Sequence, residues 1–266
     1  RSRHITDPIR SDYFNRLIWR HGNDGIVVTA EKIRRMIVDL GLNKPDRIMV
    51  AAAGVDENRF YPGLSGQSLR RQLGIPGQHF VVANVGMIRP DKGQLQFIKA
   101  CKMLLEKNTD MTCLQIGEAP SHALAYRDEV VACAGENGQE GRIRFLGYQS
   151  DIENWLALAD VVVIASIATE AKTRLVEQAF LMKKNIVATM VGGLGEMITH
   201  NRTGLLCPPD DPVALAEAVE MLMNDKELAK AMQERAYQYA VQTMTFDHMM
   251  AGMLAAYNQA ILTRKH

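Results

Sequence analysis

The 266-residue chain reads as an α/β protein, a parallel sheet covered by helices on both faces. Two observations predict this. Short apolar runs rich in β-branched residues recur along the chain, and a stretch with helical spacing follows most of them. The runs near the middle, such as Val161 to Ala165, lack polar alternation, the pattern of strands buried on both faces.

In chain order, the spacing predicts a helix at Tyr13 to Trp19, a strand at Gly25 to Thr29, a helix at Glu31 to Leu40 and a strand at Arg47 to Ala51. Ile33, Met36, Ile37 and Leu40 fall at helical spacing in the second of these helices. A short helix at Ser68 to Leu73 precedes a strand, His79 to Gly86, a tight turn ending at Gly93 and an amphipathic helix, Gln94 to Glu106. Three further units follow: strand Thr112 to Gly117 with helix His122 to Ala134, strand Arg142 to Gly147 with helix Ile152 to Ala159, and a central βαβ unit. That unit runs from Val161 to Ala165 through a polar loop and a helix of about nine residues to Ile186 to Thr189. Helices dominate from Pro212 onward. Ligands of parallel sheets collect at the carboxyl ends of strands, where helix N-termini offer unpaired N–H groups to an anion. The loop Ala168 to Arg174 occupies such a place.

A composition of 47% hydrophobic and 23% charged residues supplies one large or two modest cores. The net charge of +1 argues against a nucleic-acid partner. Arg1, Arg3, Arg10, Arg16 and Arg20 outnumber Asp7 and Asp12 in the opening stretch, which suits contact with anionic lipid or a phosphorylated acceptor, or else a solvated helix face. Cys101, Cys113, Cys133 and Cys207 lack paired spacing, which points to free thiols in a reducing compartment. No apolar run approaches the ~18 residues of a membrane span. The expected location is therefore cytoplasmic, with peripheral contact at the inner face of a membrane through the basic opening. The seven histidines show no ligand spacing, and Asp210-Asp211, flanked by prolines, reads as a helix cap, so no metal is expected.

Glu170-x7-Gln178-Ala, with Val187-Ala-Thr189 and Val191-Gly-Gly193 beyond it, resembles the donor-site signature of retaining glycosyltransferase family 4. Its usual form is E-G-F-G-x4-E, E-A-M-A-x-G-x-P-V-V-A-T and V-G-G. Gly86-Met-Ile-Arg-Pro-Asp-Lys92-Gly93 is similar to G-R-L-x-P-E-K-G, Gly117-Glu-Ala-Pro120 to G-D-G-P, and Phe145-Leu-Gly-Tyr148 to F-L-G-Y. Gly54-Val-Asp56-x3-Phe60-x-Pro62 resembles N-G-V-D-x3-F-x-P, and Gly204-Leu-Leu-Cys-Pro-Pro209 resembles T-G-L-L-V-P-P. The resemblance implies the C-terminal, donor-binding half of a GT-B fold, a Rossmann-like domain at 61–240. Residues 1–60 are then the tail and crossover of an N-terminal acceptor domain, and 241–266 a C-terminal helix. It further implies an enzyme of EC 2.4 type that transfers a sugar, with retention, from a nucleotide-sugar to a glycan or glycolipid. The donor, a UDP-sugar foremost, is a substrate rather than a cofactor. Arg3-His4 and the arginine-rich opening point to lipopolysaccharide biosynthesis. A fragment of this kind is expected to bind donor without turning it over.

Carried over residue by residue, Lys92 and Glu170 are the expected catalytic pair: Lys92 faces the diphosphate and Glu170 the hydroxyls of the transferred sugar. The remaining donor-site positions are Gly86, Met87, Arg89, Gly117, Tyr148, Ala171, Lys172, Thr173, Arg174 and Gln178. The N–H groups of Lys172, Thr173 and Arg174 match the phosphate loop, Gln178 the ribose contact and Tyr148 a neighbour of the base. Met87 stands where the family often has an arginine, a role open to Arg89 or Arg174. Ala171 and Thr173 replace glycines. As loop residues, Lys92 and Glu170 are expected to be exposed and to tolerate alanine with little change in stability. Two other classes come into view. The replaced residues suit a non-catalytic binding module or partner subunit of the same fold. A nicotinamide dehydrogenase is disfavoured because no G-x-G-x-x-G follows the first strand of the domain.

Overall fold

The computed structural model describes residues 2–3, 12–29, 31–51, 53–107, 110–135, 141–168, 170 and 173–264. The chain divides into two compact units, Arg1–Glu57 with Tyr239–His266, and Asn58–Gln238. The residues 241–266, set apart by the sequence as a terminal helix, thus fall within the first unit.

In the first unit, β1 (Ser2–Arg3), β2 (Ile26–Val28) and β3 (Ile48–Val50) form a parallel sheet. The strand Ser2–Arg3 is absent from the sequence reading. Two residues carry no periodicity, and only pairing of Ser2 with Val27 and Arg3 with Val28 reveals it. Helices α1 (Tyr13–His21) and α2 (Glu31–Asp39) connect the strands. Trp19, Ile33 and Ile37 pack with Ile26, Val28, Leu42 and Ile48 in one buried cluster. Asp12 caps α1 by accepting from the Asn15 N–H at 3.0 Å. Of the opening arginines, Arg1 and Arg10 lie outside the described residues, as does His4. Arg20 donates twice to the carbonyl of Gly41, at 2.9 and 2.7 Å.

The second unit holds α3 (Gln67–Gln72), β4 (Phe80–Val85), α4 (Gln94–Lys107), β5 (Met111–Ile116), α5 (Leu124–Ala134), β6 (Ile143–Phe145), α6 (Ile152–Leu158) and β7 (Val161–Ile164). It continues through α7 (Arg174–Leu181), β8 (Asn185–Thr189), α8 (Leu194–Met197), β9 (Leu205–Cys207) and α9 (Pro212–Asn224). The residues of α10 (Lys226–Thr243) divide between the two units, and α11 (Phe246–Arg264) belongs to the first. The six strands are parallel in the order β6-β5-β4-β7-β8-β9. Every residue of β5, β7 and β8 is buried, which explains the unbroken apolar run of β7. The fold is the predicted α/β class, with helices packed on a parallel sheet. On one side, Phe97, Cys101 and Leu104 of α4 join Leu215, Val219 and Leu222 of α9 in the main core. Asp211 caps α9 by accepting from the Ala214 N–H at 2.9 Å, with Pro212 at the first helical position, as the sequence suggests.

The strand order puts β4 in the middle of the sheet, flanked by β5 and β7, with the chain reversing direction of travel between them. In open parallel sheets ligands bind at such a switch point, in the crevice outside the carboxyl ends of the strands.

Candidate functional site

Four neighbouring strands deliver their following loops to that crevice. Gly86, Met87, Arg89 and Lys92 follow β4, Gly117 follows β5, Tyr148 follows β6, and Glu170, Thr173, Arg174 and Gln178 follow β7. Ala171 and Lys172 lie outside the described residues.

Cross-links between loops fix their relative places. The Ile88 N–H donates to the Glu118 carbonyl at 3.0 Å, the Gly117 N–H to the Gly147 carbonyl at 2.7 Å, and the Ile167 N–H to the Asp91 carbonyl at 3.0 Å. The Gln94 side chain braces the turn after β4 from below: its Oε1 accepts from the Arg89 N–H at 3.2 Å and its Nε2 donates to the Met87 carbonyl at 2.8 Å. A 3₁₀ turn, Pro90–Lys92, then reaches Gly93 at φ +66°, where a Cβ would stand 1.9 Å from the Ala165 carbonyl oxygen. Only glycine permits so close a pass between the two loops.

The pass sets Lys92 against Glu170. The Lys92 ammonium donates to Glu170 Oε1, and the buried Ser166 hydroxyl donates to the same oxygen at 2.7 Å. Glu170 is 8% exposed and the Lys92 side chain 25%. The expectation that both are exposed loop residues is therefore corrected: the polypeptide after β8 folds over Glu170. The Gly193 N–H donates to the Glu170 carbonyl at 2.7 Å, and Gly192, at φ +55°, passes so near that a Cβ would stand 1.9 Å from that oxygen. In turn, the Thr189 hydroxyl donates to the Ser166 carbonyl at 2.5 Å.

Arg89 adds a second cation. Its guanidinium grips Asp91 in two bonds, 2.9 and 2.5 Å long, and so holds that carboxyl below the usual carboxylate range. Glu170 also acts on Arg89 electrostatically, in the direction that keeps it charged. Arg174 is exposed at the first position of α7, behind the cap Thr173, whose hydroxyl accepts from the Leu175 N–H at 3.4 Å. Gln178 is half-buried in the second turn of α7, and its neighbour Glu177 is fully buried. Met87 and Tyr148 are 53% and 70% exposed at the rim. Beside Gly86 the structure leaves open space.

The crevice thus joins two cations, a carboxylate with one oxygen already engaged, a helix N-terminus and an exposed aromatic ring. Such a set accepts an anion next to a hydroxyl-bearing group. Ser166, Thr189 and Gln94 are the site residues that the sequence reading missed. Ser166 and Thr189 each close an apolar strand with a hydroxyl, a signal that points to them once the strand order is known.

Comparisons with known proteins fall on the same region. The chain is 34% identical over 222 residues to a D-inositol 3-phosphate glycosyltransferase of Corynebacterium glutamicum, a match that covers 82% of this chain and 53% of that protein. The chain spans about half the length of the curated relatives it matches. A glycosyltransferase structure from Rickettsia africae superposes with a TM-score of 0.88 at 23% identity, over 98% of this chain and 70% of the other, a likeness of fold. Anabaena Alr3699/HepE, solved in complex with UDP, gives a TM-score of 0.79 at 25% identity, over 88% and 64% of the two chains. The model of the glycosyl transferases group 1 family matches residues 66–239, and the chain belongs to that family.

Proposed function

We propose that the second unit binds a nucleotide-sugar, a UDP-sugar, as the donor of a retaining glycosyltransferase. The observation that carries this reading is the contact of Lys92 with Glu170 at the mouth of the crevice, between β4 and β7. Lys92, Arg89 and the N–H groups at the start of α7 take the diphosphate, with Arg89 standing in for the arginine replaced by Met87. Glu170 accepts hydrogen bonds from hydroxyls of the transferred sugar, Gln178 serves the ribose, and Tyr148 lies beside the base. The HepE complex with UDP supports a uridine nucleotide in a fold of this shape.

In the transfer, the bond from the anomeric carbon to the diphosphate oxygen breaks, and a new bond forms to an acceptor hydroxyl on the same face of the ring. The acceptor's proton leaves towards the departing diphosphate. Negative charge grows on that leaving group, and fixed cations stabilise it more strongly in the transition state than in the bound donor. Cofactor and metal have no part in this scheme. We assign the acceptor, a glycan or glycolipid, to sequence beyond the donor unit. The 266-residue chain is accordingly expected to bind donor without appreciable turnover, since positioning is worth roughly 7–11 kcal/mol in well-oriented reactions. Contact with a membrane through the basic opening stretch belongs to the same reading.

Thermal shift against a panel of nucleotides and nucleotide-sugars tests the proposal. A ligand that binds the native state raises the melting temperature. UDP and a UDP-sugar are expected to do so. A chain indifferent to every member of the panel contradicts the reading.

A further inference from the structure

The carboxylate at the centre of the site does not hold itself. Glu170 lies beyond the end of β7, outside any described helix or strand, and its carbonyl accepts from the Gly193 N–H at 2.7 Å. Its side chain is fixed by Ser166, whose hydroxyl donates to Oε1 at 2.7 Å. Ser166 is buried and directly follows the strand β7 and Ala165, so it is carried by the sheet rather than by the loop. The Thr189 hydroxyl, at the end of β8, donates to the Ser166 carbonyl at 2.5 Å and reaches the Ile164 carbonyl at 3.4 Å. Two adjacent strands are thereby joined to one carboxylate through hydroxyl groups.

We propose that Ser166, braced by Thr189, is a positioning residue that turns the Glu170 carboxylate so that Oε1 stays with the protein and Oε2 meets the hydroxyls of the donor sugar. The inference rests on the donor reading above and deepens it. Ser166 and Lys92 converge on Oε1, and the two bonds differ in what becomes of them when donor arrives. Lys92 is drawn towards the diphosphate, because a doubly charged group competes for a cation that is only partly buried. Ser166 cannot follow. Its donor stays on Oε1 and preserves the orientation of the carboxylate after the lysine turns away. Without the hydroxyl, the carboxylate rotates about its last torsion, which is broad for a glutamate, and its sugar contacts lose their fixed direction.

This arrangement predicts a split that a merely structural role does not produce. Ser166→Ala is expected to weaken a UDP-sugar by about tenfold relative to wild type, the lower end of the range of a lost hydrogen bond to a charged group, while UDP binds unchanged. UDP lacks the sugar that Glu170 meets. Thr189→Val, which keeps the shape and removes the hydroxyl, is expected to shift the UDP-sugar to UDP affinity ratio the same way by a smaller factor. Ser166→Thr, which restores a hydroxyl, returns the ratio towards wild type. Calorimetry of UDP and UDP-glucose on the wild-type chain and the three variants decides the matter, with melting curves to establish that each is folded. If Ser166→Ala does not fold, Thr189→Val carries the test alone. An unchanged ratio in the folded variants, or equal losses for UDP and UDP-glucose, overturns the positioning role. Failure of the wild-type chain to bind either ligand overturns the donor reading instead, so the two failures are distinct.

Discussion

Replacing Lys92 by methionine keeps most of its stem and removes the charge, leaving the Glu170 carboxylate with the Ser166 hydroxyl as its remaining donor among the described residues. How much this destabilises the fold depends on burial. Exposed ion pairs are worth about 0–1 kcal/mol, whereas removal of one partner from a fully buried pair costs about 3–5 kcal/mol. Here the glutamate side chain is 10% exposed and the lysine side chain 25%, so Lys92→Met should cost about 2 kcal/mol. In a unit of this size that lowers the melting temperature by about 4–8 °C. Glu170→Gln leaves an ammonium that water can still reach, and should cost about 1 kcal/mol. The double variant has no uncompensated charge. Its loss should fall short of the sum of the two singles by about 1–2 kcal/mol. Chemical denaturation of the four proteins measures the coupling. Additive losses, each below about 0.5 kcal/mol, would mean that the carboxylate faces solvent and that the geometry around Glu170 is wrong.

Gly192→Ala should be far more damaging than Gly74→Ala, although both residues have similar positive φ, +55° and +59°. The added Cβ meets the Glu170 carbonyl oxygen at 1.9 Å in the first and open space in the second, and melting curves of the two variants measure the difference. Burial pushes the Cys207 thiol up to about 11, from an ordinary value of 9.0. A raised folded value means that its stabilisation is complete below about pH 9 and is lost as pH rises towards 11, so across that window denaturation of wild type should lose about 2–3 kcal/mol more than that of Cys207→Ala.

The strands of the second unit are legible in the sequence because central parallel strands must be apolar on both faces, and Val161 to Ile164 is the plainest case. The turn Pro90–Lys92 is legible through its proline and the glycine after it. The sequence reading makes Glu170 an exposed candidate site residue, and the structure buries it. Its burial comes from Gly192 and Gly193, more than twenty residues on, and no local pattern records that approach. The pairing of Arg89 with Asp91 is equally hidden: the spacing allows it, but the same spacing occurs in solvated turns. Ser166 went unnoticed because a hydroxyl at the end of an apolar strand looks like the start of a loop, and its partner Thr189 lies on another strand. Adjacent β7 and β8 bring the two together, a fact that belongs to the sheet order.

The central claim is that the crevice at the ends of β4 and β7 is a donor site in which Lys92 meets the diphosphate. Calorimetric titration of UDP into the wild-type chain and into Lys92→Ala tests it most directly. Loss of one charge-assisted hydrogen bond costs roughly 1.5–3 kcal/mol, so the variant should bind UDP at least about tenfold more weakly than wild type. Equal affinity in the two proteins would contradict the assignment and place the nucleotide elsewhere.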